Sequence, residues 1–251
     1  MRICIDPGHG GSSRANRGPT GFIEADGVLD IALQLRPMLQ PYYDVRMTRE
    51  TDKTVELYER AKMANDWKAN LLISIHTNAG SATARGAETF HSFKGEWGTI
   101  FQAEAKGTAT VVQKELIAAT HMIDRGIKTN IVNNPGSPIH GMDYYGVLRR
   151  TKCPSILVEA GFHTNPDEEA LLKLSWFRKC IAEGIAKGVL KAYPVQKSGE
   201  SGKFESALQV LVKAGIVSSA DYWLQNAVVG KTVKGESVAS LILKTAEKLR
   251  K

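Results

Sequence analysis

The chain has 251 residues, of which 43% are hydrophobic and 24% are charged, values near the average for globular proteins. No apolar run approaches the ~20 residues needed to cross a bilayer, so we expect no membrane span. The net charge of +7 favours an anionic partner such as a bacterial wall polymer, whereas no zinc-finger spacing or RNA-binding strand motif supports a nucleic-acid partner.

The first residues run directly into a strand-like segment, without a charged and apolar leader. We therefore expect the protein to stay in the cytoplasm where it is made. The cysteines are odd in number and lack paired spacing, which predicts reduced structural thiols at Cys4, Cys153 and Cys180.

Strand-like runs alternate with helical patterns up to about residue 192, which predicts an α/β domain with a mostly parallel twisted sheet flanked by helices. The β-branched run Ile3 to Ile5 predicts the first strand. Apolar residues at i, i+3, i+4 spacing then predict a helix that ends before Pro41. The elements expected up to residue 75 are a strand at 3–5, a helix at 26–40, a strand at 43–48, a helix at 54–69 and a strand at 71–75.

The second half of this domain shows the same alternation around one long irregular segment. Residues 129–142 have turn chemistry and no periodicity, which predicts a surface loop that either shapes a substrate groove or is a plain connection. A helix with a break near Leu174 is expected to end the domain. The elements predicted here are strands at 87–93, 145–148 and 155–159 and helices at 100–122 and 168–193.

Composition changes at a polar Gly- and Ser-containing run, residues 194–203, which predicts a linker between a domain at 1–193 and a small all-α domain at 204–251. Helical spacing in the tail predicts helices at 204–214, 218–228 and 235–249. Residues 195–251 carry nine Lys or Arg and five Asp or Glu. This basic tail either holds the larger domain at a surface or merely carries solvated lysines.

Two histidines, His9 and His76, each directly follow a short β-branched run. The carboxyl ends of parallel strands meet at one edge of a sheet, where open α/β folds place their chemistry. We therefore expect the two imidazoles to bind one metal ion. Catalytic zinc commonly takes two His and one Glu, and Glu24, at the start of the first predicted helix, can complete this set.

A hydrolytic Zn²⁺ site also needs a general base that is not a ligand. Glu159 follows the apolar run 156–158, and a carboxylate in that position next to a dication is the best candidate. Metal-bound imidazoles usually donate their other N–H to a neighbouring polar group. The candidates for that role are Asp6, Asn78 and Glu88.

The motifs around these residues resemble the zinc-dependent N-acetylmuramoyl-L-alanine amidases of the Amidase_3 type over roughly residues 1–192. The resemblance is carried by residues 5–11, Glu24, Thr48-Arg49, Arg60 with Ala64-Asn65, residues 74–79, residues 86–88, and residues 158–162 with Asn165.

This resemblance implies a peptidoglycan hydrolase that cuts the amide between N-acetylmuramic acid and L-alanine. By position, His9, Glu24 and His76 would bind Zn²⁺ and Glu159 would be the catalytic glutamate. His163 departs from the family pattern and is a candidate substrate contact. Another zinc amidohydrolase and a catalytically silent wall-binding protein are the competing interpretations.

The tail at 204–251 resembles, over short segments, helical C-terminal modules of lysins from phages of Gram-positive bacteria. That resemblance implies cell-wall binding, with dimerisation or simple stabilisation as the alternative. Together with the absent leader it favours a phage endolysin that reaches peptidoglycan after the membrane is breached. A bacterial autolysin or mother-cell lytic amidase is the alternative.

Overall fold

The computed structural model describes residues 1–194, 207–218, 220–226, 237–238, 240–241 and 243–245. It divides into two compact units, Met1–Pro194 and Val195–Lys251. We call them the N-terminal unit and the C-terminal unit. Among the described residues, no helix has both the length and the apolar character needed to span a membrane.

The N-terminal unit is built on a six-stranded sheet with the order β2-β1-β3-β6-β4-β5. Strands β2, β1, β3 and β6 pair in parallel, whereas β4 is antiparallel to β6 and parallel to β5. The predicted α/β fold with a mostly parallel sheet is confirmed. The strands are β1 (Arg2–Pro7), β2 (Asp44–Met47), β3 (Leu71–Asn78), β4 (Ala87–His91), β5 (Asp124–Lys128) and β6 (Ser155–Phe162).

Helices cover both faces of this sheet, because side chains along each strand alternate between the faces. On β1, Ile3 and Ile5 belong to one apolar cluster, whereas Cys4 belongs to the other. Helices α1, α3 and α6 pack together beside the first cluster, and α2 packs with α4 beside the second. The helices are α1 (Glu24–Leu39), α2 (Leu57–Asp66), α3 (Gln102–Thr120), α4 (Gly146–Arg150), α5 (Pro166–Leu172) and α6 (Ser175–Ala192).

The prediction of a strand at 145–148 is wrong, because this segment forms the short helix α4. The N–H of Arg149 donates to the carbonyl of Tyr145, and the Thr151 hydroxyl donates to the carbonyl of Val147. Periodicity cannot distinguish a strand from one helical turn in so short an apolar run. In the folded chain, one turn suffices to bury Val147 and Leu148 against the second apolar cluster.

Two other differences between the predicted and the observed elements concern one edge strand of the sheet and the start of the last predicted helix. Strand β5 was not predicted, since Asp124–Lys128 has no apolar alternation. The break near Leu174 is confirmed and separates α5 from α6. Helix α5 begins two residues before the predicted start, where the Asn165 side chain accepts the N–H groups of Asp167 and Glu168.

Most of the described residues of the C-terminal unit are helical, and residues 214–218 form a non-helical connection. Residues 207–213 are helical, helix α7 spans Ala220–Asn226, and the described residues between 237 and 245 are helical as well. Leu208, Ile216 and Val217 form its buried cluster. Apart from Pro194, the predicted linker at 194–203 lies outside the described residues, as do parts of all three predicted helices.

Candidate metal centre

His9 and His76 lie together at the carboxyl ends of two adjacent parallel strands, as their positions in the sequence predict. Strand β1 pairs with β3 up to Pro7 and Ile75, and His9 follows with a left-handed backbone at φ 56°. The two imidazole centroids are 5.0 Å apart with nearly perpendicular planes. The end of β1 therefore turns His9 back toward the ring of His76.

Gly8 makes this close approach possible. A Cβ atom at Gly8 would lie closer than 3.0 Å to three ring atoms of His76. The His76 ring therefore packs directly on the Gly8 backbone, and a side chain at position 8 would displace the ring. The glycine in the Pro7-Gly8-His9 turn thus has a steric role in the site.

Glu24, the first residue of α1, lies between the two histidines. Its Oε2 is 3.2 Å from His9 Nε2, and its Oε1 is 3.0 Å from His76 Nδ1. One ligand atom from each of these side chains lies within 4.8 Å of the others. The N–H of Thr77 donates to Oε1 and the Asn16 amide donates to Oε2, so both carboxylate oxygens are held in place.

The buried carboxylate of Glu24 is ionised. Burial alone would raise the pKa of Glu24, but the hydrogen bonds to His76 and His9 outweigh burial and hold this pKa well below its ordinary value. For His76, burial alone would lower the pKa, whereas the hydrogen bond and the charge of Glu24 raise it. The charges of Glu159 and Asp6 act on His76 in the same direction.

These donors fit a zinc ion. Zn²⁺ accepts two imidazole nitrogens and one carboxylate oxygen at about 2.0–2.2 Å, with a fourth position left for water. Glu24 is only 1% exposed, and a charge so deeply buried requires a cationic counterpart. His9 and His76 remain partly exposed, so an ion held between them would be accessible from solvent.

Glu159 lies directly beside this cluster in the sheet. It pairs in register with His76 on β3, so the two side chains share a face of the sheet. Its Oε2 atom is buried and has no hydrogen-bond partner among the described residues. Burial, aided by the charges of Glu24 and Glu88 and opposed by His76, raises the pKa of Glu159 to about 7.

The other predicted candidates surround the cluster at a greater distance. The Asp6 carboxylate accepts hydrogen bonds from Thr48, Ser74 and Arg60, and thereby joins β1, β3 and α2 beneath the site. Glu88 on β4 pairs in register with Glu159, and the Asn78 amide donates to its Oε1. The structure thus brings these three residues to the same edge of the sheet.

His163 is buried and contacts Thr77. It is 2% exposed, and its Nδ1 lies 2.9 Å from Thr77 Oγ1 and 3.1 Å from the Thr77 carbonyl. Because the backbone N–H of Thr77 donates to Glu24, His163 is connected to Glu24 through Thr77. Burial lowers the pKa of His163, which favours the neutral imidazole.

Several residues that contact the site were not predicted from the sequence. Ser13 and Asn16 lie in the loop after β1, where the Ser13 hydroxyl is 3.2 Å from His9 Nδ1 and Asn16 Nδ2 is 3.2 Å from His9 Nε2. Arg125 and Lys128 on β5 both contact Glu88. The glycine-rich composition of residues 8–18 is a signal of close backbone approach, but it does not specify partners.

Comparison with known proteins agrees with this geometry. Residues 3–191 match the model of the Amidase_3 family, described as N-acetylmuramoyl-L-alanine amidase. The chain is 34% identical over 204 residues to N-acetylmuramoyl-L-alanine amidase CwlM of Bacillus licheniformis, covering 79% of this chain and 71% of CwlM. It is 32% identical over 197 residues to the endolysin of Bacillus phage SPP1, covering 78% and 67% of the two chains.

A solved structure shows the same architecture. The catalytic domain of CwlV, an N-acetylmuramoyl-L-alanine amidase from Bacillus (Paenibacillus) polymyxa, superposes with a TM-score of 0.66 at 31% identity. The match covers 78% of this chain and 99% of the CwlV domain. The fold and the site therefore define an α/β protein of the amidase class. This chain belongs to the Amidase_3 family of N-acetylmuramoyl-L-alanine amidases.

Proposed function

We propose that this protein is a zinc-dependent N-acetylmuramoyl-L-alanine amidase that cuts the amide between N-acetylmuramic acid and the L-alanine of the peptidoglycan stem. The observation that carries the proposal is the convergence of His9, Glu24 and His76 next to the unpartnered carboxylate of Glu159. The descriptions of the family, of CwlM and of CwlV support the choice of bond.

In this proposal His9, Glu24 and His76 hold the zinc ion, which when bound supplies Lewis-acid activation of the scissile carbonyl and of water. Glu159 Oε2 accepts the proton of the attacking water and returns it to the amino group that leaves with L-alanine. A carboxyl whose pKa is near 7 suits both directions of this transfer at neutral pH. Thr77 and Asn16 keep the Glu24 carboxylate oriented.

Digestion of purified peptidoglycan tests the proposed bond. The released termini are read by mass spectrometry, with and without a chelator, for the wild type and for Glu159→Gln. We expect new L-alanine amino termini that depend on the metal and on Glu159. Release of acetate would indicate a deacetylase, and other new termini would indicate a stem peptidase. Binding without cleavage would indicate a silent wall-binding protein. Each of these results would contradict the proposal.

For its biological role we propose a phage endolysin of a Gram-positive host, made in the host cytoplasm and acting on the wall after the membrane is breached. The similarity to the SPP1 endolysin supports this role, and the similarity to the bacterial enzyme CwlM supports the alternative of an autolysin. Expression in a Gram-positive host separates them. An endolysin is expected to lyse cells only after membrane permeabilisation, and amidase activity in the medium of intact cells would contradict it.

We further propose that residues 204–251 bind the cell wall and that residues 194–203 form a linker to the amidase domain. The excess of basic residues in the tail supports binding to anionic wall polymers. The test is pelleting of the full chain and of residues 1–193 with purified walls, before and after removal of the anionic polymers. Equal pelleting of both chains would contradict a wall-binding role of the tail.

A further inference from the structure

Two cations on the edge strand β5, Arg125 and Lys128, lie near the metal centre without belonging to it. Both reach across to β4 and contact the same carboxylate oxygen of Glu88. Arg125 Nε is 2.6 Å and Lys128 Nζ is 2.5 Å from Glu88 Oε2. The second oxygen of Glu88 accepts the Asn78 amide. We call Arg125 and Lys128 the β5 cation pair.

Sheet register fixes the position of the β5 cation pair relative to the reaction site. His76, Glu159 and Glu88 occupy paired positions on β3, β6 and β4, so they form one row across a single face. Neighbouring strands are about 5 Å apart, which places Glu88 one strand beyond the proposed general base. On β5 the register shifts beside Glu88, between the pairs Ala87 with Asp124 and Thr89 with Ile127, and Arg125 lies in that shifted segment.

The acidic side chains around Glu88 are buried, whereas the basic side chains are partly exposed. The side chain of Glu88 is 6% exposed, whereas those of Arg125 and Lys128 are 34% and 37% exposed. Glu168, which interacts electrostatically with Arg125, is also buried and accepts the backbone N–H groups of Gly86 and Phe162. The carboxylates of Glu88 and Glu168 therefore lie beneath the surface, and the side chains of this cluster that reach solvent are those of Arg125 and Lys128.

The guanidinium of Arg125 is also fixed in orientation. It lies 4.8 Å from the centre of the Phe162 ring, and its Nη1 approaches the carbonyl of Arg85 at 3.4 Å. Arg85 is itself exposed, which adds a further positive charge at this edge. A guanidinium that is stacked on a ring and held by a buried carboxylate loses little further side-chain entropy on binding an anion.

We infer that the β5 cation pair is an anion subsite that binds a free carboxylate of the substrate's stem peptide, on the residue that follows L-alanine. This inference rests on the proposed amidase function. The sugar and lactyl side of the scissile amide is neutral, whereas the stem peptide carries carboxylates. The spacing between the strand of Glu159 and the strand of Glu88 equals the length of one or two residues of extended peptide, at about 3.3–3.6 Å per residue.

The subsite predicts a preference that can be measured with two matched substrates. Both are N-acetylmuramoyl tripeptides, and they differ only at the residue after L-alanine. This residue is D-glutamate, with a free carboxylate, in one substrate and D-isoglutamine, with a carboxamide in its place, in the other. We expect the wild type to cleave the glutamate substrate with the higher kcat/KM. Arg125→Gln and Lys128→Gln should each lower the glutamate-to-isoglutamine ratio about tenfold, as expected for losing one charge-assisted hydrogen bond.

The ratio separates this role from a structural one. If the β5 cation pair only neutralises Glu88, both rates fall together and the ratio stays at the wild-type value, which would overturn the inference. Lys179→Gln is the matched control, because it removes an exposed lysine from α6 and should keep the wild-type ratio. A wild type that cleaves both substrates equally would also overturn the subsite, whereas cleavage of neither would contradict the proposed function itself.

Discussion

Replacing Glu159 with Gln is expected to lower amidase activity strongly and to stabilise the metal-free protein at alkaline pH. Glu159 is 7% exposed, and its Oε2 has no hydrogen-bond partner in the described part of the chain. An ionised carboxylate in this position opposes folding. The amide of Gln has nearly the same shape and carries no charge, so it removes that penalty together with the proposed proton-transfer function.

The size of the stabilisation follows from the pKa of Glu159, which is 4.5 in an unperturbed carboxyl and about 7 in the fold. Because the folded-state pKa is raised, the penalty is absent below the unfolded value, grows from pH 4.5 to 7, and is complete above pH 7. At 1.36 kcal/mol per pKa unit, it amounts to about 3 kcal/mol at pH 8 and to less than about 1 kcal/mol at pH 5.

Urea unfolding of both proteins in a chelator, at pH 8 and pH 5, measures this difference. We expect Glu159→Gln to be the more stable protein at pH 8, with a much smaller difference at pH 5. Its amidase activity with zinc should fall about 10²–10⁴-fold, the range for loss of a general base. A variant that is no more stable than the wild type at pH 8 would refute the argument that Glu159 is an uncompensated buried charge.

Three further substitutions test the framework of the site. Glu169→Gln should lower the free energy of unfolding by about 1–3 kcal/mol at pH 7, because the carboxylate accepts the N–H groups of Thr20 and Phe22 ahead of α1. Burial alone would raise the pKa of Glu169, but these donors lower it, so the loss should shrink as the pH falls below 4.5. Gly8→Ala should displace the His76 ring and weaken zinc binding at least tenfold in a competitive chelator titration. Asp6→Asn removes the buried partner of Arg60 and should cost about 3–5 kcal/mol in urea unfolding.

Each of these substitutions has a matched control. Glu169→Gln and Glu159→Gln are the same chemical change, but at pH 8 we expect the first to lower and the second to raise the free energy of unfolding. A change in the same direction for both would contradict one of the two predictions. Gly107→Ala in α3 meets open space and should leave zinc binding unchanged. Asp66→Asn breaks an exposed pair with Lys62 and should cost less than about 1 kcal/mol; a comparable cost for Asp6→Asn would argue against a buried ion pair.

The sequence by itself determined the fold class and the location of the site. Alternation of strand and helix patterns predicts a mostly parallel sheet, and that prediction depends on local periodicity, which most of the strand and helix segments up to residue 192 carry. His9 and His76 each follow a β-branched run, so their meeting at one sheet edge follows from the geometry of parallel strands. The short run at 145–148 has no such periodic signal, and it is helical.

Tertiary structure alone decided which partners hold each group of the site. The row formed by His76, Glu159 and Glu88 requires β4 to run antiparallel to β6, a pairing that no local pattern encodes. The orientation of Glu24 depends on Asn16 and Thr77, which lie 8 and 53 residues away in the chain. Register and burial are properties of the packed sheet, because they depend on residues far apart in sequence, and they are what raise the pKa of Glu159 and expose Arg125 and Lys128.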